Sequence, residues 1–470
     1  MGAVKFRVAI CGGGIGGLSH ACALAKYPDI SVNIYESAAK FSPFGAGLGI
    51  WPRAWNVLCA LGVDDDMAKL TTVSPKNGRI RTFSFRKSDQ SNGFTFGNLF
   101  SRGPLLTFHR PQFQQVLLKH LSPSCQIHHS KRLKSYSQSR DGGPIHLSFE
   151  DGTIATCDVL IGADGIRSAV RNCLLREQAE IARNQGRLKD EQELLAGRDY
   201  LSWIGSVAYR ALIPVERLKQ DCDKGLLALP TTPTMVELFL LRGWTFVILT
   251  IFSLSQYVGT NVHMIVYPVS KGHMVNLVVF HSQPELQDMP YQGPWSKEVD
   301  ETELFNITQF ENWEPEVRNW LKYVRRPTLW AIHRVKPLPT YISENVVLIG
   351  DAAHASSPHQ GTGAQQAIED AYFLAELLGD PRTTLDTLPR ALRVYDSFRR
   401  PWTQQMSDKA NANGRYFTLQ YDFDFAKGET AAIIDKLQEM FGLIQDEWEW
   451  CWTTTVEDSL KEALLRLEDD

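Results

Sequence analysis

At 470 residues, 43% of them hydrophobic, the chain is long enough for roughly two to four structural units around large cores. A net charge of −4, with both signs interspersed, excludes the basic clustering of a nucleic-acid binder and fits small-molecule partners. The eight cysteines include no C-x-x-C pair and lie apart from any histidine cluster, so neither a disulfide framework nor a metal centre is expected, and a reducing, cytoplasmic setting is.

The chain opens on an apolar strand, Phe6–Cys11, with no basic-then-apolar leader ahead of it. Periodicity then predicts a helix over Gly14–Tyr27 and a second strand over Ser31–Glu36, the first βαβ unit of a doubly wound parallel sheet. Between the first strand and the helix stands a glycine turn that reads G-x-G-x-x-G at Gly12, Gly14 and Gly17. Gly12 makes the tight bend, Gly14 lets the backbone approach a pyrophosphate, and Gly17 lets helix and strand pack closely, with the phosphates facing the positive end of the helix. Glu36 closes the second strand where an acid is wanted for a ribose hydroxyl.

Arg110–Leu121 has helical spacing, and Gln126–Ser130, Ile145–Phe149 and Val159–Gly162 read as strands. The last of these runs into a polar turn at Asp164-Gly165. Residues 177–198 are charged enough for a solvated helix or connection. Strand-like runs follow at Trp203–Ile213, Met235–Leu240, Met264–Pro268 and Met274–Phe280, a second, sheet-rich unit. Within it Leu238–Leu254 approaches the length of a membrane span, but Arg242, Gly243 and the β-branched content favour buried strands. Asn306–Val324 is predicted helical, with Trp313 and Trp320 seven apart. Then α/β texture returns: a buried strand over Asn345–Gly350, the loop Pro358–Ala364, a long amphipathic helix over Gly363–Leu378, and a mostly helical tail from Leu385. Asp351, at the end of that strand, can accept hydrogen bonds from a sugar-alcohol chain. The amides of Gly361, Gly363 and Ala364 can meet negative charge on a ring, helped by the helix start.

The three turns together resemble the flavoprotein aromatic hydroxylases, the single-component FAD monooxygenases, from Phe6 to about Arg400. The detail is most similar to the fungal salicylate hydroxylase-like branch: Gly45-Ala46-Gly47-Leu48-Gly49, His109-Arg110, Val207-Ala208-Tyr209-Arg210 and Gly350-Asp351-Ala352-Ala353-His354 stand in that branch's order. The expected fold class is α/β: a Rossmann-like FAD-binding domain (1–185, completed by 301–405), an inserted sheet-rich α+β substrate domain (200–300) and a helical C-terminal region (406–470). The resemblance implies that Glu36 holds the adenosine ribose, that Ala46, Gly47 and Arg110 approach the FAD, and that Asp351 binds the ribityl region. It also implies that Gly361, Gly363 and Ala364 face the flavin, and that the turn at Asp164 serves both FAD and NAD(P)H. No second strand–G-x-G-x-x-G–helix occurs, so NAD(P)H is expected only as a transient visitor.

The cycle the resemblance implies is reduction of the flavin by NAD(P)H, addition of O2 to give a C4a-hydroperoxide, and attack of its distal oxygen on an electron-rich aromatic carbon. Such a site excludes water and holds the substrate as a phenolate, which a cation and hydrogen-bond donors favour. Arg210 and Tyr267 carry over as the groups that hold the phenolate, with His263 a weaker member; His263, Ile265 and Tyr267 share one strand face. His354 and His359 read as packing against the flavin loop. One segment departs from the pattern: Leu241–Val258 intervenes where relatives make a short strand connection. It is either a gene-model insertion or an apolar flap over the substrate entrance, a choice the transcript decides.

The leading function is therefore an NAD(P)H-consuming FAD monooxygenase that hydroxylates a phenolic or salicylate-like aromatic, with or without loss of a carboxylate. The alternatives are an FAD-dependent epoxidase, or a flavin-binding protein without turnover because of the intervening segment. Halogenation is disfavoured, since Trp448-Glu449-Trp450-Cys451-Trp452 is not the W-x-W-x-I-P signature.

Overall fold

The computed structural model describes residues 4–41, 47–71, 73–75, 78–138, 143–196, 200–218, 234–238, 245–249, 254–307 and 310–468, the short strands 234–238 and 245–249 by their backbone alone. The opening strand, Phe6–Cys11, is buried along its length except at Arg7, as a strand covered on both faces requires. It lies between Ile30–Tyr35 and Val159–Gly162, parallel to both. The full six-stranded order is Ile342–Ser343, Val346–Leu348, Val159–Gly162, Phe6–Cys11, Ile30–Tyr35, Gln126–His128. All its pairings are parallel except that of Ile342–Ser343. Helices Ile15–Leu24 and Gly363–Gly379 pack on it, so sequence more than three hundred residues apart forms one core.

The second sheet has eight strands in the order Ser296–Glu298, Thr328–Val335, Leu201–Pro214, Met274–Ser282, Val262–Val269, Leu254–Gly259, Arg79–Lys87, Phe94–Arg102. It thus gathers strands from both sides of 200–300. Alternation divides its residues between two faces. Val262, Met264 and Val266, with Tyr209, Ala211, Leu277 and Val279, pack into a core that holds Trp313 and Trp320. The opposite face, where Arg210 is level with Val278 and Ile265, looks toward the first sheet. Helices Leu388–Phe417 and Thr430–Trp448 close the remaining side, packing Phe417 and Trp448 against Trp51, Phe83 and Phe85.

One local expectation changes, and two are made more definite. Asn306–Val324 is not one helix: Glu301–Ile307 and Pro315–Leu321 are separate helices with a short turn at Phe310–Asn312 between them. Pro315 starts a new helix and holds Glu314 in an extended conformation, which a continuous helix forbids. The charged stretch 177–198 supplies the end of helix Ala169–Asn184 and all of Leu188–Ala196. Within Leu238–Leu254 the described backbone is strand, at Thr245–Leu249 and at the start of Leu254–Gly259. No helix among the described residues is long and apolar enough to cross a membrane.

Candidate active site

The three glycines of the first turn sit in three different environments. Gly12 has φ +107°, and a Cβ there would stand 2.2 Å from the Ala163 carbonyl oxygen. A Cβ at Gly17 would stand 2.0 Å from the Gly12 carbonyl oxygen. Both glycines are demanded by the fold itself. At Gly14 the nearest atom, Nη2 of Arg110, is 4.0 Å away, so the fold itself leaves room for a side chain there. Gly14 is also the N-cap of Ile15–Leu24, where side-chain-free amides point outward.

Glu36 sits beside this turn, accepting hydrogen bonds from the Gly13 amide (2.8 Å) and the Ala38 amide (2.7 Å). Asp164 is turned inward: it accepts from Ser168 Oγ and from the amides of Ala169 (2.7 Å) and Val170 (3.2 Å), capping Ala169–Asn184. Burial raises its carboxyl above the ordinary value against those donors. Arg171 ties the two aspartate turns together, donating to the carbonyls of Ala352 (2.8 Å) and Ile166 (2.6 Å). Gly350 turns the chain out of the sheet at φ +58°, leaving Asp351 exposed at the start of a helical turn.

Between the two sheets lies a cavity of about 450 Å³. Of the residues singled out from sequence, Gly14, Gly47, Arg110, Asp351, Gly361, Gly363 and Ala364 form one wall, and Arg210, His263 and Tyr267 the other. Gly12 and Gly17 stand behind the wall as packing positions, and Glu36 and Asp164 beside it. Ala46 lies outside the described residues. Gly47 stands where the two walls meet: a Cβ there would lie 2.9 Å from the Tyr267 hydroxyl.

Along the wall formed by the eight-stranded sheet and the neighbouring turn at His359, the polar groups are few and mostly unpaired. Arg210 Nε, His263 Nδ1, Gln256 Nε2 and both ring nitrogens of His359 are buried without a hydrogen-bond partner. Burial, and then the neighbouring His359, hold His263 far below its ordinary pKa, and burial brings His359 to about 4. Both are neutral imidazoles stacked among aromatics: His263 lies 4.5 Å from Phe280 and 5.2 Å from His359, centroid to centroid. Burial raises the Tyr267 hydroxyl, with Arg210 opposing. Phe83, Phe280, Phe417 and Trp448 complete an apolar surround.

Sequence reasoning did not single out Gln256, Leu254, Phe280 or Trp448. Leu254 and Gln256 belong to the segment read as intervening, yet their strand pairs with Val262–Val269 on one side and Arg79–Lys87 on the other. A polar residue between Leu254 and Val258 at a spacing of two was the available signal.

A mostly parallel sheet with glycine turns along one cavity wall defines a dinucleotide-binding oxidoreductase fold. The residues present fit FAD: an uncrowded Gly14 at a helix start, Arg110 without a hydrogen-bond partner among the described residues, and an exposed carboxylate at Asp351 line one continuous wall. Residues 5–188 and 246–410 match the FAD binding domain family, and the chain belongs to it. It is 32% identical to a salicylate hydroxylase of Pseudomonas putida, over 98% of this chain and 94% of that one. It is also 32% identical to a 6-methylsalicylate 1-monooxygenase of Aspergillus terreus, over 86% and 81%. A salicylate hydroxylase solved as a substrate complex superposes with a TM-score of 0.75 at 28% identity, covering 98% of both chains. The protein is an FAD-dependent monooxygenase of the aromatic hydroxylase kind.

Proposed function

We propose that this monooxygenase hydroxylates a small anionic aromatic of the salicylate class, with or without loss of the carboxylate, using NAD(P)H and O2. The observation that carries this is Arg210. Among the described residues of the eight-stranded sheet that line the cavity it is the one charged group, and its Nε is buried without a partner. Arg210 as a whole is half-buried, and a ligand carboxylate or phenolate would give this poorly solvated cation the partner it lacks. Two relatives are named for salicylate and 6-methylsalicylate, both hydroxybenzoates, which supports the same class.

Bound FAD supplies the redox centre that accepts hydride and activates oxygen. The chain's own residues do the rest. Arg210 stabilises the phenolate and so makes the ring nucleophilic, and the Tyr267 hydroxyl donates to the same oxygen. His263, His359 and Gln256 offer uncharged hydrogen bonds, so the field on the ring comes from Arg210 alone. Phe83, Phe280, Phe417 and Trp448 keep water from the reacting carbon. On the cofactor side, Gly14 and Arg110 would meet the pyrophosphate, Asp351 the ribityl chain, and Gly361–Ala364 the ring. Against a protein without turnover stands the strand Leu254–Gly259, which completes the substrate wall rather than breaking it.

The test is NAD(P)H and oxygen consumption by the FAD-loaded protein with salicylate, methylsalicylates and dihydroxybenzoates, against the same acids with the phenol methylated, with products identified. Hydroxylated product from the free phenols and little stimulation by the O-methyl ethers is the expected pattern. Equal stimulation by the ethers, or peroxide as the sole product with every free phenol, refutes it.

A further inference from the structure

The turn that carries Asp351 is held from behind by a fully buried carboxylate, and we infer that Asp370 is the positioning residue that sets this turn for the flavin. Gly350 and Asp351 follow the strand Val346–Leu348 at a sharp bend, and a Cβ at Gly350 would stand 2.9 Å from the Ala367 side chain. Such a bend needs its amide fixed. The Gly350 amide donates to Asp370 Oδ2 at 2.9 Å, and Nε2 of His354, at the far end of the same helical turn, donates to the same oxygen. One oxygen therefore grips the turn at both ends, with Asp351 between them.

The other oxygen anchors the grip. Asp370 Oδ1 accepts from Arg399 Nε at 2.8 Å, Arg399 Nη1 donates to Glu369 at 3.0 Å, and Glu369 pairs with Arg53 at 2.9 Å. Asp370 and Glu369 are fully buried on helix Gly363–Gly379, whose start lines the cavity. Two carboxylates and two guanidiniums balance in charge, which lets the array persist away from water. Burial alone would raise the Asp370 carboxyl, but the charges and hydrogen bonds it meets at His354 and Arg399 outweigh that and hold it below the ordinary carboxylate range. Asp370 reaches the cavity through the turn it holds, and its role rests on that turn contacting the cofactor.

The experiment uses the full-length apoprotein and four variants, Asp370→Asn, His354→Leu, His354→Gln and Asp351→Ala, titrated with FAD. Amide hydrogen exchange over Gly350–His354 is measured before FAD is added. Asp370→Asn is expected to weaken FAD about tenfold, on the scale of one hydrogen bond to a charged group, and to speed exchange in the turn. His354→Leu leaves the Asp370–Arg399 pair in place and is expected to show both effects more mildly, with His354→Gln restoring them. If Asp370→Asn does not fold, the His354 pair decides alone. FAD affinity within twofold of the parent in Asp370→Asn, or in His354→Leu, overturns the positioning role, as does a lowered melting temperature with unchanged affinity and exchange. Parent-like affinity in Asp351→Ala instead refutes the assignment of the turn to the cofactor, whatever the other variants do.

Discussion

Gly14→Ala should separate binding from folding. Gly14 has φ −73° and ψ −173°, backbone that alanine adopts without strain, and its new methyl would find no atom nearer than 4.0 Å. Alanine is a poorer N-cap than glycine by about 0.5–1 kcal/mol, while the lower entropy of the unfolded chain returns about 0.4–1 kcal/mol. The two nearly cancel, so apoprotein stability should stay within roughly 0.5 kcal/mol of the parent. The methyl does fill the approach to the helix-start amides, where a phosphate oxygen would sit. Losing one charge-assisted hydrogen bond costs about 1.5–3 kcal/mol, which is a rise in the FAD dissociation constant of roughly ten- to 150-fold. Gly12→Ala is the counterpart: at φ +107° with the Ala163 oxygen 2.2 Å away, it should cost at least about 3 kcal/mol of folding before any cofactor is added. Urea denaturation of the apoproteins and fluorescence titration with FAD measure both quantities. Parent-like FAD affinity in Gly14→Ala, or equal destabilisation by the two variants, refutes the division of labour among these glycines.

Arg210→Gln should raise KM for a hydroxybenzoate about ten- to 100-fold while leaving FAD affinity unchanged, because the guanidinium stands in the wall opposite Gly14 and Asp351 and its loss would remove the proposed charged contact to the substrate. Steady-state kinetics beside FAD titration checks this, and an equal loss for the phenol-methylated acid would count against it. The buried imidazole of His359 makes stability depend on pH: its folded pKa of about 4 lies below the 6.5 of an unfolded histidine, so the unfolded chain binds the proton more tightly. The stability this represents is whole above pH 6.5 and is lost as pH falls toward 4, by roughly 2 kcal/mol between pH 7 and pH 5. His359→Gln should therefore flatten the pH dependence of apoprotein unfolding by about that amount, with His20, lowered to about 4 by its own burial, common to both proteins. Identical slopes for parent and variant would sink the argument.

What could be read from sequence was what local chemistry writes locally. The strand at Phe6–Cys11, the glycine turn, and the turns at Asp164 and Asp351 each announce themselves through residues a few positions apart, and all adjoin one cavity or support its wall. The side chains that cross between elements left no such trace. Asp370 reads as an ordinary polar residue of an amphipathic helix, and nothing near it in sequence says that Gly350, His354 and Arg399 converge on it. Asp164, beside a glycine in a cofactor-type turn, invites a ligand role, yet its oxygens accept from the helix that follows. Gln256 was hidden for a different reason: its strand runs parallel to Arg79–Lys87, some 170 residues earlier, a pairing that sequence spacing does not express. That pairing also bears on the intervening segment. A sheet order with Leu254–Gly259 between Val262–Val269 and Arg79–Lys87 needs a strand at that position, and removing 241–258 would oblige the chain before it, Thr234–Leu238, to take the place. The segment's fate therefore decides which residue faces the cavity beside Ile265. A transcript lacking these codons would replace Gln256 in the wall while leaving Arg210, His263 and Tyr267 in place, so the proposed preference for an anionic aromatic would survive either outcome and the fine shape of the pocket would not.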